Sequence, residues 1–260
     1  MVDSTAGDAL SLGTRDPPPP FVTRPVDVAH VVVPLDGSPF AERALPVAAW
    51  VAAGVGADVH VVEVVPCDAE AESEGAIRYL DSVARSHHAA AWDVVESEDV
   101  GAVLADAVEG SPGRLACLAT HGRGRSLLLG SVAVSLLERS TRPAVLVGPM
   151  AREVTAVDAP IVVAVDGTDG DDALVPVALG WAARLGRRLD VVTVAEPARP
   201  GYPADRTQRA RGPAEPERYL DSMAVRAEGA GVAVGSHVIH DPASVRHGLV
   251  RLVDRTAALL

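Results

Sequence analysis

The stretch THGRGRSLLLGSV, Thr120 to Val132, carries residue types that bind anions. Gly122 and Gly124 let a backbone approach a phosphate with no Cβ in the way. Arg123 and Arg125 offer charge-assisted hydrogen bonds, and Ser131 offers a hydroxyl. Gly130-Ser131 opens a helical pattern, whose free N–H groups and dipole suit a negative charge. The same residues also describe a plain strand-to-helix turn, with Ser131 as N-cap and the arginines in solvent. A second stretch, Asp36-Gly37-Ser38, follows the first Val-rich run and brings a carboxylate to the same end of the sheet as the glycine loop. Asp36 can serve a ligand there, or it can be a turn-forming acid that caps the helix beginning near Pro39.

These residues need a scaffold, and the chain describes it twice. Residues 31–65 and 161–195 align without gaps, sharing Val-Val, Asp-Gly, Pro-Val-Ala, a later Gly and a second Val-Val. RYLDSVA at Arg78 to Ala84 returns as RYLDSMA at Arg218 to Ala224. The chain reads as a duplicated domain. Continuous apolar runs, such as Val31 to Val33 and Val61 to Val65, suit strands buried on both faces of a parallel sheet. Helices are expected over Glu42–Ala53 and Asp172–Leu185, with Ser38 and Thr168 at N-cap positions. Strand, helix, strand makes a right-handed βαβ unit.

The first copy continues with a helix over Ala76–Ala91, a strand over Trp92–Glu96 and a helix over Val100–Glu109. It closes with a strand at Leu115–Thr120, a helix from Ser131 to Glu138 and a strand at Ala144–Val147. The second copy is expected to hold a strand over Val232–His240 and a helix over Ser244–Asp254, with nothing matching Thr120 to Val147. Glu196–Glu217, rich in Pro, Arg and Glu, reads as a loop. The expected architecture is α/β: an open parallel sheet with helices on both faces, duplicated, with a truncated second copy. Residues 1–27, with Pro17 to Pro20, read as an extended, disordered leader. The first domain spans 28–150, a linker 151–158, and the incomplete second domain 159–260.

Composition narrows the function. Aromatic residues are 3% of the 260, so the core must be built from Val, Ala and Leu. A net charge of −12 argues against nonspecific nucleic-acid binding, which needs clustered Lys and Arg. No apolar run is long enough to span a bilayer, and the N-terminus lacks the pattern of a signal peptide. A reducing cytoplasm is the expected compartment, with Cys67 and Cys117 buried or incidental.

The runs VVVPLDGSPFAERALPVA, THGRG, LLLGSV and RPAVLVGP resemble the universal stress protein family. The resemblance covers roughly 28–150, and 159–260 as an incomplete second copy. It implies a five-stranded parallel sheet, with ATP bound by some members at the carboxyl ends of the strands; Mg is expected with the nucleotide. It places Asp36 near the nucleoside, with Pro34 and Leu35 walling the base and the Val64 backbone meeting the adenine. Nucleotide-binding members carry Gly, two residues, Gly, nine residues, then Gly-Ser or Gly-Thr. The matching positions here are Ala119, Gly122 with Arg123 beside it, and Gly130, Ser131 and Val132 at the helix start. Ala119 replaces the first Gly, and seven residues rather than nine separate Gly122 from Gly130.

Other signals lead elsewhere or nowhere. His237, His240 and His247 have no ligand at a convincing metal spacing, and His87-His88 are helical neighbours pointing apart. Trp50 and Trp181 read as core or interface packing. There is no GxSxG and no Walker sequence, and no residue reads as a base placed to attack a phosphate, so no metal site, no catalytic residue and no efficient turnover is expected. The expected function is stress response, with an adenine nucleotide sensed or sequestered by the first domain. The alternative is an interaction module without nucleotide, acting through self-association or a protein partner. An adenylating ligase is disfavoured because no SGGxDS-like run follows the first strand. The uncovered edge of an incomplete sheet predicts a homo-oligomer, or intramolecular pairing of the two halves.

Overall fold

The structure, a computed structural model, describes residues 18–120, 130–148, 151, 159–195, 215–240 and 244–256. The first unit contains β1 (His30–Leu35), α1 (Ala44–Val55), β2 (Asp58–Val65), α2 (Glu70–His87) and β3 (Ala91–Glu96). It continues with α3 (Val100–Glu109), β4 (Arg114–Ala119), α4 (Ser131–Arg139) and β5 (Ala144–Val147). Its five strands are parallel, in the order β3-β2-β1-β4-β5. Alternate strand residues feed two cores, as parallel strands covered on both faces must. Val31, Val33 and Val61 pack with α1 and α2. Val32, Val62 and Ala116 pack with α3 and α4.

The second unit contains β6 (Ile161–Ala164), α5 (Asp171–Leu185), β7 (Leu189–Ala195), α6 (Glu215–Ala227), β8 (Val234–His240) and α7 (Val245–Thr256). Its three strands are parallel in the order β6-β7-β8. Helices α5 and α6 cover one face and α7 the other. This partial sheet fits a truncated second copy. Among the described residues, no strand pairs with the outer edge of β6.

Several boundaries differ from those expected. Helix α2 begins at Glu70, six residues before Ala76, because the acidic run supplies its first turn, where the dipole favours negative charge. It ends at His87, with His88 in the left-handed conformation as cap, so Ala91 opens β3. α1 is preceded by a 3₁₀ turn at Ala41–Arg43. The echoed RYLDSMA lies within α6, which starts at Glu215, so the expected loop is shorter at that end. The rest of that loop, residues 196–214, and linker residues 152–158 lie outside the described residues.

The two units meet through α1 and α5. Trp181 of α5 packs against the first unit's core, as does Trp50. The Arg184 guanidinium donates to the Val55 carbonyl, and Arg187 lies 5.7 Å from the Trp50 ring. Within residues 18–27, expected as part of a disordered leader, Phe21 is instead buried among α5 and α6.

Candidate functional site

The sheet opens where its strand order reverses. β1 pairs with β4 only over His30–Val32 against Arg114–Ala116, although β1 continues to Leu35 and β4 to Ala119. The carboxyl ends of β1 and β4 therefore diverge, forming the crevice at which open α/β sheets take ligands.

On one side of the crevice stands Asp36. Its Oδ1 accepts from the Ser38 N–H at 2.9 Å, across Gly37 at φ +73°. That conformation is strained for any residue with a Cβ. Ser38 is 5% exposed, and its Oγ accepts from the Ala41 N–H at 3.2 Å. This turn fixes the start of the α1 segment and holds the Asp36 carboxylate beside the strand end. Asp36 thus forms an Asx turn, and the capping bond comes from Ser38.

On the other side, Ala119 ends β4, and Thr120 is tied to β5 by its N–H to the Val147 carbonyl at 2.9 Å. The Gly130 N–H donates to the Thr120 carbonyl at 2.7 Å. This bond closes the neck of the loop and sets the amino end of α4 at the carboxyl end of β4. Gly130 is the extended residue before the helix, Ser131 is exposed at its first position, and Val132 packs toward the α3–α4 core. Gly122 and Arg123 lie outside the described residues.

The remaining candidates divide. Pro34 and Val64 are half-buried near the ends of β1 and β2. Leu35 is 4% exposed and packs with Val33, Ala41 and Leu45, so its side chain serves the core and not a base wall. One group was missed from the sequence. Tyr79 of α2 donates to Glu42 Oε1 at 2.9 Å, close enough to Glu63 and Asp36 to feel both charges. Burial first, then the bond to Glu42, pushes the Tyr79 phenol above its ordinary value. The echoed Tyr79 and Tyr219 were the available signal. Asp36, Glu42 and Glu63 gather around the Tyr79 phenol and make this end of β1 and β2 acidic, while the amino end of α4 offers N–H groups and a helix dipole. Such polarity suits a molecule with hydroxyls at one end and an anion at the other.

His237 and His240 lie in the second unit, apart from this crevice. His237 faces Asp190 at 3.6 Å and His240 faces Glu217 at 4.0 Å. Among the described residues, no cluster of three or more His, Cys, Asp or Glu could hold a metal ion. No described helix is long and apolar enough to cross a membrane.

The universal stress protein family matches residues 28–148, the whole of the first sheet with its helices. The first unit is a universal stress protein domain. A universal stress protein from Archaeoglobus fulgidus DSM 4304 shares 19% identity over 88% of this chain and 84% of its own, with a TM-score of 0.60. A functionally unknown protein from Pseudomonas aeruginosa PAO1 shares 15% over 89% and 79%, with a TM-score of 0.58. Both likenesses extend across the two units and concern the fold alone. A universal stress protein solved in complex with cAMP shares 23% identity over 47% of this chain and 98% of its own, with a TM-score of 0.39. None of the curated proteins matches the chain significantly.

Proposed function

We infer that the universal stress domain binds an adenine nucleotide, ATP with Mg, in the crevice between β1 and β4, and acts as a sensor or regulator in stress response. The observation that carries this reading is the split between the two strands, with Asp36 on one lip and the amino end of α4 on the other. The nucleoside sits on the Asp36 side, where carboxylates accept from hydroxyls. The phosphates sit toward Gly130 and Ser131, where backbone N–H groups and the dipole meet negative charge. In this reading the bound nucleotide is a signal, held without efficient turnover.

The test begins with protein purified without added nucleotide, then denatured, and the released small molecules chromatographed. Titration calorimetry with Mg-ATP, ADP and AMP follows. Bound nucleotide, with affinity reduced at least about tenfold in Gly130→Val and Ser131→Val, supports the reading. An empty protein that gives no heat with any of the three sinks it.

One observation favours the interaction-module alternative. β5 is an edge strand with Leu146 39% exposed, and α4 beside it exposes Val134 and Leu137. An apolar edge of this kind invites self-association. A dimer that forms without nucleotide and dissociates on Leu146→Lys would support that second reading.

A further inference from the structure

Residues 18–28 bridge the two units as an extended segment. Phe21 is 8% exposed within the second unit's core, and Val28 packs against the first unit's core. The Phe21 N–H donates to the Arg226 carbonyl at 2.7 Å, and the Arg24 N–H donates to the Pro176 carbonyl at 3.1 Å. Arg226, in the last turn of α6, stacks its guanidinium 3.9 Å from the Phe21 ring and donates through Nε to the Pro19 carbonyl at 2.9 Å. Its other arm is held by Asp172 of α5 at 2.6 Å. An aromatic anchor, a stacked arginine and backbone bonds to an extended, proline-flanked chain are the means by which grooves hold peptides.

The groove is also cleared for this segment. A Cβ on Gly180 of α5 would overlap the Arg24 carbonyl oxygen and meet Val26 Cγ2 at 3.6 Å. In the ungapped alignment of the two copies, position 180 matches Trp50, whose bulk would fill that space. Glycine in mid-helix is unfavourable by propensity, so the close passage of a backbone gives it a reason to be there.

We propose that the α5–α6 groove of the second unit is a docking site for an extended, proline-flanked peptide bearing a phenylalanine, that residues 18–26 occupy it in cis, and that this docking ties the second unit to the first. The tie is independent of whether the first unit binds nucleotide. Its ligand chemistry is that of PPPFVTRPV, with Phe21 as the anchor and its backbone as the second point of recognition.

Full-length Gly180→Ala separates docking from helix stability, because alanine improves helix propensity while its Cβ displaces Arg24. Amide exchange at Phe21 and Arg24 should accelerate at least about tenfold in this variant, with α5 and α6 still protected. Full-length Phe21→Ser leaves the groove intact but weakens its occupant. A fluorescent peptide of residues 18–27 should bind this variant at least about tenfold tighter than the wild type, and a peptide with its phenylalanine replaced by serine should not bind. Equal protection of both amides in wild type and Gly180→Ala would overturn the proposal. So would a Phe21→Ser protein that folds and takes up the peptide no better than wild type.

Discussion

The two units start from matching stretches of sequence and arrive at different surroundings for them. In each, an Asp closes the same turn: Asp36 Oδ1 accepts from Ser38 N–H and Asp166 Oδ1 from Thr168 N–H, both at 2.9 Å. In each, a glycine with positive φ lies in that turn, Gly37 and Gly167, and another ends the first helix, Gly56 and Gly186. In each, the echoed tyrosine bonds a carboxylate at the start of that helix, Tyr79 to Glu42 and Tyr219 to Asp171. The environments then part. β1 lies between β2 and β4, whereas β6 pairs with β7 alone among the described residues. The shared Asp-Gly-Ser/Thr turn is therefore first a folding feature. In the first unit it stands across a split sheet from β4 and the amino end of α4. In the second, Asp166 and Thr168 line a cavity with Val192, Val194, Val245 and Leu249, with no strand on the outer side of β6 among the described residues.

The sharpest way to break the comparison is through its cores. Leu80 and Leu220 are matched residues of the echo, 0% and 2% exposed. Leu80→Ala and Leu220→Ala should each cost about 2–5 kcal/mol in urea unfolding. If the units are tied as the packing of α1 on α5 indicates, each substitution lowers the midpoint of one shared transition. Two separable transitions, each moved by only one substitution, would mean that the units fold independently.

The tyrosines should differ by less. Tyr219→Phe removes a 2.6 Å bond from Asp171, which is 4% exposed and also accepts from the Gly167 N–H at 2.6 Å. A loss of about 1–3 kcal/mol is expected. Tyr79→Phe frees Glu42, which is only half-buried, and should cost less. Equal losses would show that burial of the carboxylate does not set the difference.

A pH series sharpens the contrast at the other end of the sheets. His60 lies against His30 with ring centroids 4.5 Å apart and the planes tilted by 35°, while the matching residue of the second unit is Asp190. Burial first, then His30 and Arg114, holds the His60 pKa below the ordinary 6.5, against weaker opposing pulls from Asp58 and Asp93. A lowered folded-state pKa means that the unfolded chain takes up the proton first. The stability contributed by neutral His60 is therefore complete above 6.5 and is lost as the pH falls below it toward the folded-state value. Urea midpoints compared at about pH 7.5 and about pH 5 should fall less for His60→Gln than for the wild type. An unchanged slope would remove His60 from the account.

The smallest effect is a count of thiols. Cys67 is exposed, while Cys117 is buried and its thiol is pushed up to about 12 by that burial. One thiol should react with an aromatic disulfide reagent in the native protein and two after denaturation. A second fast thiol would place the α1–β4 packing in doubt.

Much of the fold was legible before any coordinates. Val-rich runs bounded by Asp-Gly and alanine-rich segments can only be buried parallel strands and their helices, and the repeat carried that reading to the second unit. The edges of elements were less legible. The acidic run Ala69 to Glu74 suits a solvated face, and it also supplies the first turn of α2 from Glu70, because exposure and helix position are separate questions. The family resemblance implies Leu35 as a wall of the candidate site. Alternation along β1 points its side chain into the α1–α2 core instead.

The sequence by itself determined the order of elements, the echo between the two halves, and the turns that require glycine, because these follow from local sterics and from the period of apolar residues. Tertiary structure alone decided which surfaces meet. Trp181 completes the core of the other unit, β1 and β4 part after three pairs, and Phe21 finds Arg226 some two hundred residues away. The physical reason is that periodicity reports which face of an element must leave water, while the partner that covers it is set by packing between segments far apart in the chain.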